Sequence, residues 1–89
     1  MKTLLRTSTF KKDLKRMQKR GKAFSGLKHV IQLLLNAETL DPKYRDHSLT
    51  GNYSGTRECH IEPDWLLIYE SDENQLILIR TGTHADLFR

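Results

Sequence analysis

A chain of 89 residues, 37% hydrophobic and 29% charged, has the length for one globular domain spanning residues 1–89, with no room for a second core. No apolar run is long enough to cross a membrane, and the N-terminus lacks the long apolar stretch of a signal peptide, so we expect no membrane partner. The single cysteine, Cys59, excludes an intramolecular disulfide and fits a reducing compartment, which predicts a cytoplasmic protein.

The net charge of +4 is unevenly distributed along the chain. Residues 1–28 hold ten Lys and Arg residues and one acid, Asp13, a net charge of +9, whereas residues 29–89 hold five basic and ten acidic residues, a net charge of −5. A compact positive face attracts polyanions, and nucleic acid is the first candidate because phosphate contacts dominate its binding. A merely solvated helix face and an acidic protein partner are the alternatives.

The first half of the chain predicts a strand and two helices. Residues 2–7 read as a short strand, and apolar residues at helical spacing predict helices over about 9–20 and 23–36. The two apolar stripes are Phe10, Leu14 and Met17, and Leu27, Val30, Ile31, Leu34 and Leu35. Because the link between the helices is short, we expect them to form a helix hairpin.

The second half predicts a long loop followed by three strands. Pro42 and several glycines punctuate residues 39–55, which we expect to be an ordered, functional loop. Strands are predicted at 56–61, 65–70 and 75–80. The order β-α-α-β-β-β predicts an α+β fold in which a two-helix hairpin packs on one face of an antiparallel sheet.

Strand alternation gives the first of these three strands two different faces. Cys59 and Ile61 fall on one face, which is the plausible core side, and Glu58 and His60 fall on the other. His60 is therefore expected to point away from the helices and to lie beside Glu58.

Three of the four histidines occur where loops meet strands: His47, His60 and His84. Asp64 stands at a fourth such junction. Cleavage of RNA without metal needs a base that takes the proton of the 2′-hydroxyl and an acid that protonates the leaving 5′-oxygen. Histidine suits both roles near neutral pH. These residues are therefore candidate catalytic groups, although each histidine taken alone is as consistent with an ordinary surface residue.

Further residues supply candidate contacts to RNA. Arg57 and Arg80 are candidates for a phosphate clamp. Trp65, Tyr53 and Phe88 are candidates for stacking on splayed bases, with core or rim packing as the alternative. The histidines and Asp64 match no compact metal-binding motif, so we expect neither a metal nor another cofactor.

The chain resembles the YafQ-type toxins of the RelE/ParE superfamily, whose fold is RelE-like and microbial-RNase-like. Three strings carry the resemblance: Asp46-His47-Ser48-Leu49-Thr50-Gly51, Glu58-Cys59-His60-Ile61-Glu62-Pro63-Asp64-Trp65-Leu66-Leu67-Ile68-Tyr69 and Arg80-Thr81-Gly82-Thr83-His84-Ala85-Asp86-Leu87-Phe88. The resemblance implies the toxin of a type II toxin–antitoxin system, a ribosome-dependent endoribonuclease that cuts messenger RNA in the A site and inhibits translation.

The resemblance also implies roles for individual residues. It places the cleavage site on His47, His60, Asp64, His84 and Phe88, with Trp65 adjacent. We expect His84 and Asp64 to form the central acid/base set, with His84 as the acid, and His47 and His60 to assist. Arg80 and Arg57 would then contact phosphate, and Phe88 and Trp65 would position the message. All of these are expected on the sheet face away from the helices.

The implied partners are a cognate antitoxin, the ribosome and messenger RNA, with operator DNA as a further partner reached through the antitoxin. The cations assigned to ribosomal RNA are Lys11, Lys12, Lys15, Arg16, Lys19 and Arg20. Two rival functions stay open: a ParE-like toxin that binds DNA gyrase without a nuclease site, and a non-catalytic RNA-binding domain.

Overall fold

The structure is a computed structural model, and it describes residues 1–88. The five strands are β1 (Thr3–Arg6), β2 (His47–Ser48), β3 (Arg57–Glu62), β4 (Trp65–Ser71) and β5 (Gln75–Gly82). The three α-helices are α1 (Ser8–Lys19), α2 (Ser25–Leu35) and α3 (His84–Leu87), and short 3-10 turns occupy Pro42–Tyr44 and Gly51–Tyr53. Within residues 1–88, no helix combines the length and apolar character needed to span a membrane.

Helix α1 is capped by Thr7, the residue before its first turn. The Thr7 hydroxyl accepts a hydrogen bond from the backbone N–H of Phe10 at 2.9 Å, which satisfies one of the otherwise unpaired donors of the first turn. The same hydroxyl donates to the carbonyl of Ile79 at 2.7 Å. One threonine thus both starts the helix and fastens that start to strand β5.

The sheet has the order β1-β5-β4-β3-β2, which confirms the predicted α+β architecture. Strands β2 to β5 pair in antiparallel fashion, whereas β1 pairs with β5 in parallel, with Thr3 opposite Gln75. The sheet is therefore mixed. A parallel neighbour is possible here because the two helices carry the chain across one face between β1 and the rest of the sheet.

One face of the sheet carries the main core. Both helices bury their apolar stripes there, against Cys59 and Leu67 among others, as the strand alternation predicts. Cys59 is fully buried, and burial raises the pKa of its thiol to about 12, so the thiol stays protonated and unreactive at neutral pH.

The opposite face is partly covered as well. Leu66, Ile68 and Leu87 form a second, smaller cluster, which Leu49 and Tyr53 of the 39–55 loop cover. This loop, predicted to be ordered, contains both 3-10 turns and the two-residue strand β2. The free surface on this face is consequently confined to the ends of β3 and β5, where the histidines lie.

Candidate active site

Asp64 and His84 form a direct pair between two chain segments. Asp64 sits in the two-residue turn between β3 and β4, and His84 is the first residue of α3. One carboxylate oxygen of Asp64, Oδ1, accepts the backbone N–H of His84 at 3.0 Å and lies 2.6 Å from its ring Nδ1. These two bonds, the backbone bond first, lower the pKa of Asp64 below its ordinary value.

This pairing sets the state of the His84 ring. An ionised carboxylate can only accept a hydrogen bond, so Nδ1 of His84 carries the hydrogen. The other nitrogen, Nε2, is then the one that exchanges a proton with a bound molecule. A carboxylate that binds an imidazole in this manner fixes the tautomer and the orientation of the ring. The side chains of His84 and Asp64 are 53% and 65% exposed, so a substrate can reach the pair.

Local structure fixes the position of His84. The hydroxyl of Thr83 accepts the backbone N–H of Asp86, and the Asp86 carboxylate accepts the backbone N–H of Thr83, a reciprocal cap at the start of α3. Arg20 of α1 donates two hydrogen bonds to the same carboxylate, at 2.6 and 3.0 Å. The Arg20 guanidinium holds the pKa of Asp86 well below its usual range.

Asp86 also explains the glycine before the cap. A Cβ atom at Gly82 would lie 2.9 Å from Asp86 Oδ2, too close for any side chain without a local shift. The chain can therefore turn from β5 into α3 only because position 82 carries no side chain.

Glu58 connects the other two histidines. Its side chain is 7% exposed, and its Oε1 atom lies 3.5 Å from Nε2 of His47 and 3.5 Å from Nε2 of His60. Glu58 is opposite His47 in the β2–β3 pairing and two residues before His60 on the same face of β3. A carboxylate oxygen accepts hydrogen bonds, so Glu58 can receive an N–H from either ring and links the two histidines.

His47 has a second defined contact. Its Nδ1 atom lies 2.6 Å from the carbonyl oxygen of Arg45, and because a carbonyl can only accept, Nδ1 carries the hydrogen. Arg45 has a left-handed backbone, with φ of 50°, at the end of the 3-10 turn Pro42–Tyr44. This turn of the chain presents its carbonyl to His47.

The two halves of the cluster meet at the rings of His60 and His84, whose centroids are 5.7 Å apart. The structure thus brings together all four predicted acid/base residues, from the 39–55 loop, from the end of β3 with its turn, and from the start of α3. Imidazoles at this separation can face one phosphate from two sides, as acid/base cleavage requires.

Phe88 lies next to this cluster. Its ring is 43% exposed and packs edge-on against Tyr53, with centroids 5.8 Å apart. Its backbone N–H donates to the carbonyl of His84 at 2.8 Å. The predicted use of Phe88 as an RNA contact is compatible with this exposure.

The predicted RNA contact of Trp65 is wrong. Trp65 is fully buried in the main core on the helix side of the sheet, 5.9 Å from the ring of Phe24. Its indole N–H donates to the hydroxyl of Thr81 at 2.8 Å. A side chain with no exposed surface cannot stack on a base, so Trp65 is a packing residue and does not lie on the predicted face.

Arg80 is engaged in a structural bridge. Its Nε and Nη2 atoms donate to the buried carboxylate of Asp13 at 3.0 and 2.9 Å, which raises the pKa of the guanidinium. Asp13 also accepts the backbone N–H of Thr81 at 3.1 Å, beyond the point where β1 stops pairing with β5 at Leu78. Two of the five N–H donors of the predicted phosphate clamp are therefore bound to Asp13.

Arg57 is likewise engaged. Its Nε and Nη2 atoms donate to Asp46, and its Nη1 atom donates to the hydroxyl of Ser48. Asp46 also accepts the hydroxyl of Tyr69 at 2.6 Å. These bonds hold β2 against β3 and so position His47, and they leave Arg57 with little capacity for phosphate.

The basic surface of α1 divides into two sets. The lysines Lys11, Lys12, Lys15 and Lys19 are exposed, and within residues 1–88 none has an acidic partner. The arginines do have partners: Arg16 lies 3.4 Å from Asp13 and 3.9 Å from Asp86, and Arg20 is bound to Asp86. The four lysines are thus the cations free for an external polyanion.

Sequence reasoning missed Glu58, Asp13 and Asp86 as organising residues. A sequence feature could have identified each of them. Glu58 lies two residues before His60 on a predicted strand, so the two side chains share a face. Asp13 is the single acid in a strongly basic helix, and Asp86 lies three residues after Thr83, the spacing of a helix cap.

Comparisons with known proteins give the family to which the chain is similar. The family model described as "Bacterial toxin of type II toxin-antitoxin system, YafQ" matches residues 2–89. The mRNA interferase toxin YafQ of Escherichia coli (strain K12) is 46% identical over 80 residues, which cover 89% of this chain and 87% of that protein.

Two solved structures show the same fold. The crystal structure of the E. coli DinJ-YafQ toxin–antitoxin complex matches with a TM-score of 0.91 and 42% identity over 99% of this chain and 98% of that chain. A copper-bound mutant toxin from Helicobacter pylori matches with a TM-score of 0.93 and 41% identity over 99% and 100%. In residues 1–88 of the present chain, no three His, Cys, Asp or Glu residues are grouped to hold a metal ion.

A family model that spans nearly the whole chain, a relative of 46% identity and the near-complete match to the E. coli YafQ structure all give one assignment. The chain belongs to the YafQ family of bacterial toxins from type II toxin–antitoxin systems.

Proposed function

We propose that this toxin is a ribosome-dependent endoribonuclease, an mRNA interferase that cuts the message in the A site by metal-independent acid/base catalysis. The observation that carries the proposal is the histidine cluster, in which the rings of His60 and His84 lie 5.7 Å apart and each is backed by a carboxylate. The activity named for the E. coli relative supports it.

In this mechanism His60 takes the proton of the 2′-hydroxyl, and the 2′-oxygen attacks the neighbouring phosphorus. Glu58, 3.5 Å away, stabilises the imidazolium that forms. His84 gives the proton on Nε2 to the departing 5′-oxygen, which leaves a 2′,3′-cyclic phosphate and a 5′-hydroxyl. Asp64 acts through His84, because it orients the ring from Nδ1.

Charge on the phosphate oxygens must be met by other groups, since Arg57 and Arg80 are bound to carboxylates of the protein. His47 is the candidate, because its side chain is half exposed and its ring is held at Nδ1 by the carbonyl of Arg45, which directs Nε2 towards the rest of the cluster. A positioned hydrogen-bond donor near the phosphorane stabilises it electrostatically. The proposed role of His47 is therefore phosphate contact.

The proposal includes two macromolecular partners. The four free lysines of α1 form a positive strip suited to ribosomal RNA, whose backbone binds cations with a strong salt dependence. A cognate antitoxin is the second partner, as the DinJ-YafQ complex of the E. coli relative suggests. Operator DNA would be reached through that antitoxin.

Mapping of messenger 5′ ends after induction in cells tests the function. We expect codon-phased cuts that also appear on purified ribosomes in the presence of a chelator such as EDTA at a concentration that leaves the ribosomes intact. Cuts that need an added transition metal would contradict the metal-independent mechanism.

The same experiment separates the rival functions. Double-strand DNA breaks without messenger cuts would identify a gyrase poison. Neither kind of damage, together with RNA binding, would identify a non-catalytic binding domain. The clustered histidines favour the nuclease, since neither rival needs acid/base groups.

A further inference from the structure

A cavity of about 410 Å³ opens beside the histidine cluster. It lies along the edge of β3 that faces away from β4, where β2 pairs only with Arg57 and Glu58, so that the 3-10 turn Pro42–Tyr44 and the start of α2 line the space beside the rest of β3. Its lining residues are Gly26, Lys43, Tyr44, Arg45, His60, Ile61, Glu62 and Pro63. This volume lies within the range of roughly 300–1,000 Å³ that is usual for small-ligand sites.

The cavity shares residues with the proposed active site. His60 belongs both to its lining and to the histidine cluster. Arg45, also in the lining, holds the ring of His47 through its carbonyl oxygen. A group bound in the cavity is therefore directly next to the place where the scissile phosphate would lie.

The chemistry of the lining suits a nucleotide. Ile61 and Pro63 offer apolar surface on which a base can pack, and Tyr44 adds a ring over which Lys43 Nζ lies, 5.2 Å from the ring centroid. Lys43 and Arg45 are exposed, and within residues 1–88 neither has an acidic partner, whereas Glu62 at the rim is paired with Lys22. The two cations at the mouth of the cavity would meet the phosphates on either side of the base.

We propose that this cavity is a base-binding subsite, which takes the nucleobase adjacent to the cleaved bond and so contributes to the choice of cleavage site. The proposal rests on the nuclease function proposed above. An antitoxin side chain in the same cavity is the competing occupant. It would have to be acidic, because Lys43 and Arg45 at the mouth of the cavity are positively charged.

A direct binding measurement does not depend on cleavage. The probe is a trinucleotide that lacks 2′-hydroxyl groups, so it can bind without being cut. In an NMR titration of the whole protein, we expect the amide signals of residues 43–45 and 60–63 to shift together. Shifts confined to the α1 lysines, or no shifts at all, would overturn the subsite.

Substitution of Gly26 gives a matched pair of variants. A Cβ at this position meets only the Ile61 side chain at 3.4 Å, so Gly26→Ala leaves the cavity open, whereas Gly26→Leu occupies part of it. Both replacements favour the helix, since glycine is among the poorest helix formers. We expect Gly26→Leu to weaken trinucleotide binding at least tenfold and Gly26→Ala to change it less than threefold.

The distribution of cuts provides the second readout. We expect Gly26→Leu to change which codons are cut, while Gly26→Ala keeps the wild-type pattern. If Gly26→Leu keeps both the pattern and the trinucleotide affinity, or loses only antitoxin affinity, the subsite is wrong although the nuclease stands. If the wild-type protein makes no cuts, the nuclease proposal fails, and the trinucleotide titration alone then decides whether the cavity binds a nucleotide.

Discussion

Two carboxylates of this protein are hydrogen-bonded to side-chain nitrogen atoms at similar distances, but one pair has a buried carboxylate and the other is exposed to solvent. Asp13 and Arg80 are joined by two hydrogen bonds, and the Asp13 side chain is 1% exposed. Asp64 and His84 are joined at 2.6 Å, and both side chains are more than half exposed. The first carboxylate also binds a backbone N–H of β5 and cannot meet a ligand, whereas the second leaves one imidazole nitrogen open to solvent.

The comparison shows that burial distinguishes the structural pair from the pair proposed to be catalytic. A buried pair is costly to break, because removing one partner leaves the other without solvent or a counter-charge. An exposed pair contributes little to folding, since water and salt screen it. We therefore expect the fold to tolerate loss of the proposed catalytic pair better than loss of the Asp13–Arg80 pair.

The largest effect should come from the exposed pair, on activity. His84→Ala removes the proposed acid, and we expect messenger cleavage on ribosomes to fall about 100- to 10,000-fold. The free energy of unfolding should stay within about 0.5 kcal/mol of the wild-type value, because the side chain is exposed. His29→Ala is the control, since His29 is exposed on α2. Equal activity of the two variants would remove His84 from the mechanism.

The buried pair should show the reverse behaviour. Asp13→Asn leaves Arg80 without its counter-charge, and we expect the free energy of unfolding to fall by about 3 kcal/mol in urea titrations. Glu62→Gln breaks the exposed pair of Glu62 with Lys22 and should cost only about 0–1 kcal/mol. A decrease at Asp13 no larger than that at Glu62 would show that the bridge is not structural.

A third prediction concerns cations that have no partner. Neutralising Lys11, Lys12 and Lys15 to Gln should leave stability unchanged and weaken binding to ribosomes. The slope of log binding constant against log salt concentration should decrease by about 2–3, roughly one unit for each phosphate that the variant no longer neutralises. Lys28→Gln, which lies on α2 away from this strip, should leave the slope unchanged. An unaltered slope in the triple variant would exclude the strip as a ribosomal RNA contact.

The smallest effect is a pH dependence of stability at Asp86. The side chain of Asp86 is more exposed than that of Asp13 and less exposed than that of Asp64. Its pKa is lowered in the folded protein, chiefly by hydrogen bonds from Arg20, so its stabilisation is present above the ordinary carboxyl value of about 3.8 and is lost as the pH falls further. In urea titrations from pH 6 to pH 2, the free energy of unfolding of the wild type should therefore exceed that of Asp86→Asn at pH 6, and this difference should shrink below pH 4. A difference in the free energy of unfolding that does not change with pH would contradict this role of the Asp86 carboxylate.

The sequence predicts most of the fold because its periodic signals are strong and local. The stripe that contains Phe10 and Met17 defines α1, and alternation in β3 places Cys59 and His60 on opposite faces, as observed. The parallel placement of β1 was not predicted, since it depends on a pairing between residues about seventy positions apart. Local sequence carries no information on such a partner.

The candidate site was predicted in its residue types but not in its connections. His47, His60, Asp64 and His84 do converge, yet Glu58, which links two of them, has no motif of its own. Trp65 was misjudged although β4 alternates regularly: Trp65 shares the face of Leu67, which is opposite Cys59 on the helix side of the sheet.

The pairing of β1 with β5 has a consequence for the timing of synthesis. Thr3 is synthesised before Gln75 and finds this neighbour only when Gln75 has left the ribosomal tunnel, and His84 follows nine residues later. The histidine cluster therefore cannot form on a nascent chain that has released only β1 to β4, because one of its three segments follows β5. Contacts between segments so far apart in the chain form slowly, because the intervening loop must be closed first.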